Sequence, residues 1–242
     1  MEARILGSGG WMPTDVRETT CIYFREDDDV LVVDAGTGFR RLVTEPELLD
    51  GVRRLSVVLT HFHVDHIMGL PFLGELEHVP QREIWGAGLS VEGIATEQLV
   101  RRLFDPPLTT ASELPADIHE LAPPGAQIGR FSVDVKPQLR HQNTTLAIKV
   151  NGEVVVCTDT EYDESNAEFA HGARVLCHDS FFPDTGGKGH TGAGEAAKLA
   201  VAASVQRLVL IHLNPLVGEE ELLRVAREAF PATEVGRDGM ML

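Results

Sequence analysis

"VVLTHFHVDHIMG", Val57 to Gly69, sets three histidines and an aspartate within six residues, directly after an apolar run. An apolar run that stops at such a cluster reads as a strand ending where the polar side chains begin. His61 and His63 stand two apart in extended chain, so both can point the same way. Asp65 and His66 follow as the chain turns into a helix and can face a second point. Side chains of this kind are not buried without a partner to satisfy them. Neutral imidazoles and a carboxylate suit zinc best, with manganese or iron as alternatives. The pattern therefore offers two ligands to each of two adjacent divalent ions.

The remaining ligands are sought at other strand ends. His141 closes "KPQLRH", Asp159 ends "EVVVCTD" and His212 ends "RLVLIH". Alone, each reads as readily as a polar residue capping a surface strand. Beside the HxHxDH cluster, all three read as ligands projected from a sheet edge into a cleft.

The chain has 242 residues, 43% hydrophobic and 24% charged, the balance of an ordinary globular protein, and is read as one domain, 1–242. Its formal charge of −16 suits it poorly to tracking a nucleic-acid backbone. A small anion drawn to bound metal ions remains compatible with that charge. Cys21, Cys157 and Cys177 lie in apolar stretches without CxxC spacing, so they read as reduced, buried small hydrophobes. No basic leader and no apolar run of about 18 residues is present, so the expectation is a cytoplasmic protein without membrane contact.

Strands are expected at "ARIL", "TCIYF", "DVLVVDAG", "LSVVLT" and "QREIWGA". In the second half they are expected at "FSVDVKPQLRH", "TLAIKV", "EVVVCTD", "RVLCHDSFF" and "RLVLIH". Asn151-Gly152 marks a hairpin turn. Helices are expected at "GFRRLV", at Ser90–Phe104 with a serine cap and at "TGAGEAAKLAVAASV" with Thr191 as cap. Another is expected at "EEELLRVAREAF", before a last strand ending at Met241-Leu242. Strand groups each followed by helices suggest two packed sheets covered by helices.

"THFHVDH" resembles the signature of the metallo-β-lactamase superfamily, and the resemblance runs over essentially the whole chain. It is nearest the ribonuclease Z-like branch. "LGSGGWMPTDVRETTCIYF" and "VVDAGTG" look like that branch's glycine loop and second motif. "VLCHDSFF", "GHTGAGEAAKLA", "LVLIHLNP" and "GRDGMML" are similar to its later segments. The resemblance implies an α/β fold, an αββα sandwich of two packed mixed β-sheets flanked by helices, with two metals at one edge. It implies that His61, His63 and His141 hold one metal and that Asp65, His66 and His212 hold the other, with Asp159 bridging. Two such ions make a shared water a hydroxide near neutral pH and clamp phosphoryl oxygens. Asp65 is also a candidate to position that water.

The resemblance further implies that His190, in "GKGHTG", is a general acid oriented by Asp179, where ribonuclease Z carries Glu. His178 reads as structural, and His78, His119 and His171 as solvated. "GSGGWMP" reads equally as a phosphate-cradling loop or as a tight turn. Trp11 and Arg17 are candidates for the substrate mouth.

The reaction expected is hydrolysis of a small anionic phosphodiester, such as a cyclic nucleotide or cyclic phosphate, by a metal-dependent phosphodiesterase. Ribonuclease Z enzymes carry a tRNA-gripping arm between the third histidine and the bridging aspartate. Here only 18 positions separate His141 from Asp159, so the arm-less cyclic phosphodiesterases are the better match and tRNA is disfavoured. A tRNA 3′-processing endonuclease and a sulfatase or lactonase are the alternatives. A glyoxalase II-like thioesterase needs a helical domain after the last histidine, yet only 30 residues follow His212. The non-enzyme reading, a degenerate binder of a nucleotide or partner, sits poorly with an intact ligand set. A homodimer is what the branch suggests.

Overall fold

The computed structural model describes residues 1–109 and 113–242. Among the described residues, thirteen strands form two sheets. The first contains β1 (Glu2–Gly7), β2 (Cys21–Glu26), β3 (Asp29–Val33), β4 (Arg54–Val58), β5 (Gln81–Gly86) and β6 (Asp117–Glu120), paired in chain order. The second contains β7 (Gly125–Ile128), β8 (Phe131–Gln138), β9 (Thr145–Val150), β10 (Val154–Cys157), β11 (Val175–Asp179), β12 (Arg207–Ile211) and β13 (Thr233–Val235), again in chain order. In each sheet antiparallel strands come first and parallel ones follow, the changeover falling at β3 and at β10.

The residue patterns explain the layering. In β3 every residue is buried: Leu31 and Val33 face the other sheet, while Val30 and Val32 face the helical side. β10 repeats this, with Val154 and Val156 between the sheets and Val155 and Cys157 under helices. Strands buried on both faces carry continuous apolar runs. β8 instead alternates, with Phe131, Val133 and Val135 buried and the residues between them exposed. The helix Ala193–Ala202 packs Ala196, Leu199 and Ala200 onto the second sheet, completing an αββα sandwich. The three cysteines are free and buried, and burial pushes the Cys157 and Cys177 thiols up to about 12.

Three expected elements differ. The helix expected over Ser90–Phe104 is broken into Gly88–Val91 and Thr96–Phe104, because Gly93 takes a φ of 66°. Ser90 Oγ bonds back to the Ala87 carbonyl and caps nothing. The helix at 193 is capped by Gly192, whose N–H donates to Glu195 at 3.3 Å, while Thr191 Oγ1 bonds the Thr160 carbonyl. The last strand is β13, and Met241 makes only a bridge to Arg4. Asn151 and Gly152 form the expected turn, with φ of 51° and 68°. No helix is long and apolar enough to cross a membrane among the described residues.

Parallel strands end at a common edge, which is where ligands gather in α/β sheets. Here β3, β4, β10, β11 and β12 lead into Asp34, His61, Asp159, Asp179 and His212. That geometry places the site.

Candidate metal centre

Asp34 follows β3 with a φ of 61° and is fully buried. Its carboxylate accepts the Thr60 N–H at 2.8 Å and the Thr60 hydroxyl at 2.8 Å. It also accepts the His66 Nδ1–H at 2.8 Å, which leaves His66 Nε2 facing inward, 3.1 Å from Asp159 Oδ1. The same arrangement recurs around the site. His61 Nδ1–H meets Thr60 Oγ1 at 3.1 Å, and His141 Nδ1–H donates to the Gly189 carbonyl at 2.9 Å. His212 Nδ1 lies 3.5 Å from Asp179 Oδ1. Histidines that bind metals commonly give their second ring N–H to a carboxylate or carbonyl, which sets the tautomer and aims the free nitrogen.

The inward atoms converge in two groups, each within 4.8 Å: His61, His63, His141 and Asp159 in one, Asp65, His66 and His212 in the other. Asp159 reaches both, its Oδ1 lying 3.3 Å from His212 Nε2 and its Oδ2 3.8 Å from His61 Nε2. Yet His61 Nε2, His66 Nε2, His141 Nε2 and Asp159 Oδ1 are buried and make no aligned hydrogen bond. Leaving several such atoms unpaired is costly, and divalent ions would satisfy them together. The donor set thus fits two metals.

Charge supports that fit. Burial, together with neighbouring His66, pushes His61 well below the usual histidine range, and burial also lowers His63. Burial opposes the charge on His66 as well, but Asp159 and Asp34 outweigh it and hold the ring protonated. His212 is likewise pushed up to about 10, because Asp159, Asp179 and Asp65 overcome its burial. Burial raises Asp65 and Asp159, but His212 and His66 hold both below the ordinary carboxylate range. Without an ion, protons on two histidines offset the carboxylates. A cation takes over that role by displacing them.

Beside the cluster, Asp179 at the end of β11 accepts the His190 Nδ1–H at 3.0 Å and the Thr191 N–H at 3.3 Å. Asp179 is fully buried; burial raises its carboxyl, but His190 and His212 hold it below the usual range. The shorter side chain therefore spans to both rings, one on each oxygen. His190 is half-buried and stacked on Phe181, ring centres 4.6 Å apart. His190 could also join a ligand group with Asp159 and His212. Trp11, His63, Phe181, Lys188 and His190 line one cavity of about 180 Å³ with the carboxylates.

The glycine loop cradles no phosphate, because its amides are already committed. Ser8 N–H donates to Asp238, Gly9 N–H to Glu18, Gly10 N–H to Leu213 and Trp11 N–H to Asp65 Oδ2 at 2.9 Å. The loop instead positions Asp65. It also approaches His212 so closely that a Cβ on Gly10 would lie 2.6 Å from the ring. Arg17 is not at the mouth; it is tied to Ser8, the Gly236 carbonyl and Glu219. His119 is half-buried on β6 and stacked on Trp85 at 4.2 Å, whereas His78 and His171 are exposed. His178 is buried within β11.

Asp34 and Lys188 escaped the sequence reading. Asp34 had one signal, an aspartate directly after an apolar strand in "VLVVDAG". Five of the eight non-glycine residues with positive φ among the described residues belong to the site: Trp11, Asp34, Asp159, Lys188 and His212. Such backbone cost persists where the surroundings over-determine it, typically at functional sites.

A family model described as a beta-lactamase superfamily domain matches residues 30–213. A ribonuclease Z from Methanopyrus kandleri is 27% identical, covering 99% of this chain and 96% of that protein, over an alignment of 270 positions. Among solved structures, the metallo-beta-lactamase fold protein YhfI from Bacillus subtilis has a TM-score of 0.82 at 22% identity, covering 100% of this chain and 98% of that one. A diphosphatase from the PhnP family has a TM-score of 0.79 at 17% identity, covering 100% and 96%.

Proposed function

We propose, from the premise that the chain belongs to the β-lactamase superfamily and is a metal-dependent hydrolase, that it hydrolyses a small phosphodiester such as a cyclic nucleotide or cyclic phosphate. The observation that carries this reading is one cavity lined by His63, Asp65, His141, Asp159 and His212 of the candidate ligand set together with His190, whose ring Asp179 holds from behind. His61, His63 and His141 would hold one ion, Asp65, His66 and His212 the other, with Asp159 reaching both. Zinc suits this donor set best. Two bound divalent ions would acidify water and neutralise charge on the phosphoryl oxygens.

The chain's own residues do the rest. Asp65, held by the Trp11 N–H, positions the attacking water for in-line approach to phosphorus. His190 carries a proton at Nε2 while Asp179 holds its Nδ1–H and keeps the ring oriented. As the new P–O bond forms and the ester P–O bond breaks, that proton goes to the departing oxygen. Lys188 is the fixed cation on the rim and draws the substrate's negative charge inward.

Size favours a small ester. The cavity that the candidate ligands line is about 180 Å³. Between His141 and Asp159 there is only the β9–β10 hairpin. The Methanopyrus alignment runs to 270 positions against 242 residues here, so that relative carries residues without a counterpart in this chain. A second reading, tRNA 3′ processing, is favoured by the ribonuclease Z relatives, and the −16 charge and short hairpin weigh against it. The reading also includes a homodimer and a cytoplasmic setting.

The test is a side-by-side panel on purified metal-loaded protein: 2′,3′-cyclic nucleotides, bis(p-nitrophenyl) phosphate, pre-tRNA, a lactone and a sulfate ester. Much faster turnover of the small phosphodiesters than of every other substrate is expected. Efficient release of the tRNA 3′ trailer, or faster lactone or sulfate cleavage, would overturn the reading.

A further inference from the structure

Trp11 lines the cavity with a large side chain to which the mechanism above gives no role. It is 69% exposed and adopts a φ of 68°, a left-handed conformation unusual for a bulky residue. That backbone is held by the site itself, since Trp11 N–H donates to Asp65 and Met12 N–H closes onto the Gly10 carbonyl at 2.8 Å. The backbone is thereby held beside the cavity, and the indole is left facing solvent. The chain's other tryptophan behaves differently: Trp85 bonds Glu83 through its ring N–H and stacks on His119. Phe181, the other aromatic ring besides the histidines that lines the cavity, is already stacked on His190.

Resting on the phosphodiesterase reading, we propose that Trp11 is the specificity-determining platform on which a planar base carried by the substrate stacks. The cavity is small, about 180 Å³, and the exposed indole of Trp11 is part of its lining. A base carried by an ester bound there would lie over that indole. An indole gives it an apolar face that tolerates any base, because every base has a π-face. With Lys188 at the same rim for the negative charge, the site selects nucleoside phosphodiesters over base-free sugar phosphates.

The test compares two esters on the metal-loaded protein, adenosine 2′,3′-cyclic phosphate and the base-free methyl riboside 2,3-cyclic phosphate. Trp11→Gly removes the indole, and glycine accepts the positive φ at no steric cost, so the amide that holds Asp65 is retained. The nucleotide-to-base-free ratio of kcat/KM should fall about tenfold or more in Trp11→Gly, through KM, and return in Trp11→Tyr. Adenosine monophosphate should quench the wild-type tryptophan emission saturably, ribose 5-phosphate should not, and Trp11→Gly should abolish the response. An unchanged ratio, or quenching that survives in Trp11→Gly, overturns the platform. Wild-type protein that turns over neither ester but keeps the base-dependent quenching refutes the phosphodiesterase reading and supports the platform.

Discussion

Asp34 holds His66 from behind: the buried carboxylate takes the ring's Nδ1–H at 2.8 Å and turns Nε2 toward Asp159, 3.1 Å away. Partners of this kind typically contribute about 10- to 100-fold to metal affinity. Asp34→Ala should therefore weaken metal binding by about that factor, measured by competition with a chromogenic chelator. Unchanged affinity would mean that the ring is oriented by packing alone.

His190→Ala should lower kcat by roughly 10²- to 10⁴-fold, the usual range for a general acid, and leave metal content intact. Parallel loss of metal would instead make His190 a ligand, as its closeness to Asp159 and His212 allows. Asp179→Asn should lower kcat too. It leaves His190 with a partner that no longer stabilises the charged ring.

Gly10→Ala should reduce metal occupancy, because the added methyl would lie 2.6 Å from the His212 ring. Elemental analysis of the variant, beside a melting curve, checks this. Full occupancy with unchanged melting would show that the loop yields easily.

Metal-stripped protein should lose stability as the pH rises from neutral. His212 moves from 6.5 to about 10 on folding, so its contribution is complete below 6.5 and is lost through about 10. His66 is shifted in the same direction. Asp65, Asp159 and Asp179 are shifted downward, so their contribution is present above 3.8 and fades as the pH falls through their folded values. Buried His61 and His63, held below their usual range, withdraw stability as the pH falls under 6.5, so the melting temperature of stripped protein should be greatest near pH 6.5 and decline toward pH 10. Loaded protein, with ions in place of those protons, should decline less over the same range. A flat alkaline limb in the stripped protein would contradict the charge balance described here.

The candidate ligands are legible as a cluster because metal chemistry admits few residue types, and HxHxDH places four of them on one strand–helix junction. Asp159 and His212 are legible because each closes an apolar run, and His141 because it stands three residues past an alternating strand. Asp34 also ends such a run, but its role lies in a side chain turned back by a positive φ, which residue types alone do not reveal. β6 and β7 went unread because "DIHE" and "GAQI" are short and lack a buried alternating face. The split at Gly93 was missed because the apolar spacing continues across it. Arg17 looked like a mouth residue from its place in the loop, whereas the chain's last segment captures it through Gly236. The amides of the glycine loop were likewise assigned partners by contacts with Asp238 and Leu213, more than 200 residues away in sequence.

The most direct measurement is the metal content of purified protein, obtained by elemental analysis against an accurate chain concentration. The seven-residue arrangement requires close to two divalent ions per chain, falling in His61→Ala and in Asp159→Ala. One ion or none, in protein that has not been exposed to chelator and hydrolyses a phosphodiester, would contradict the dinuclear centre.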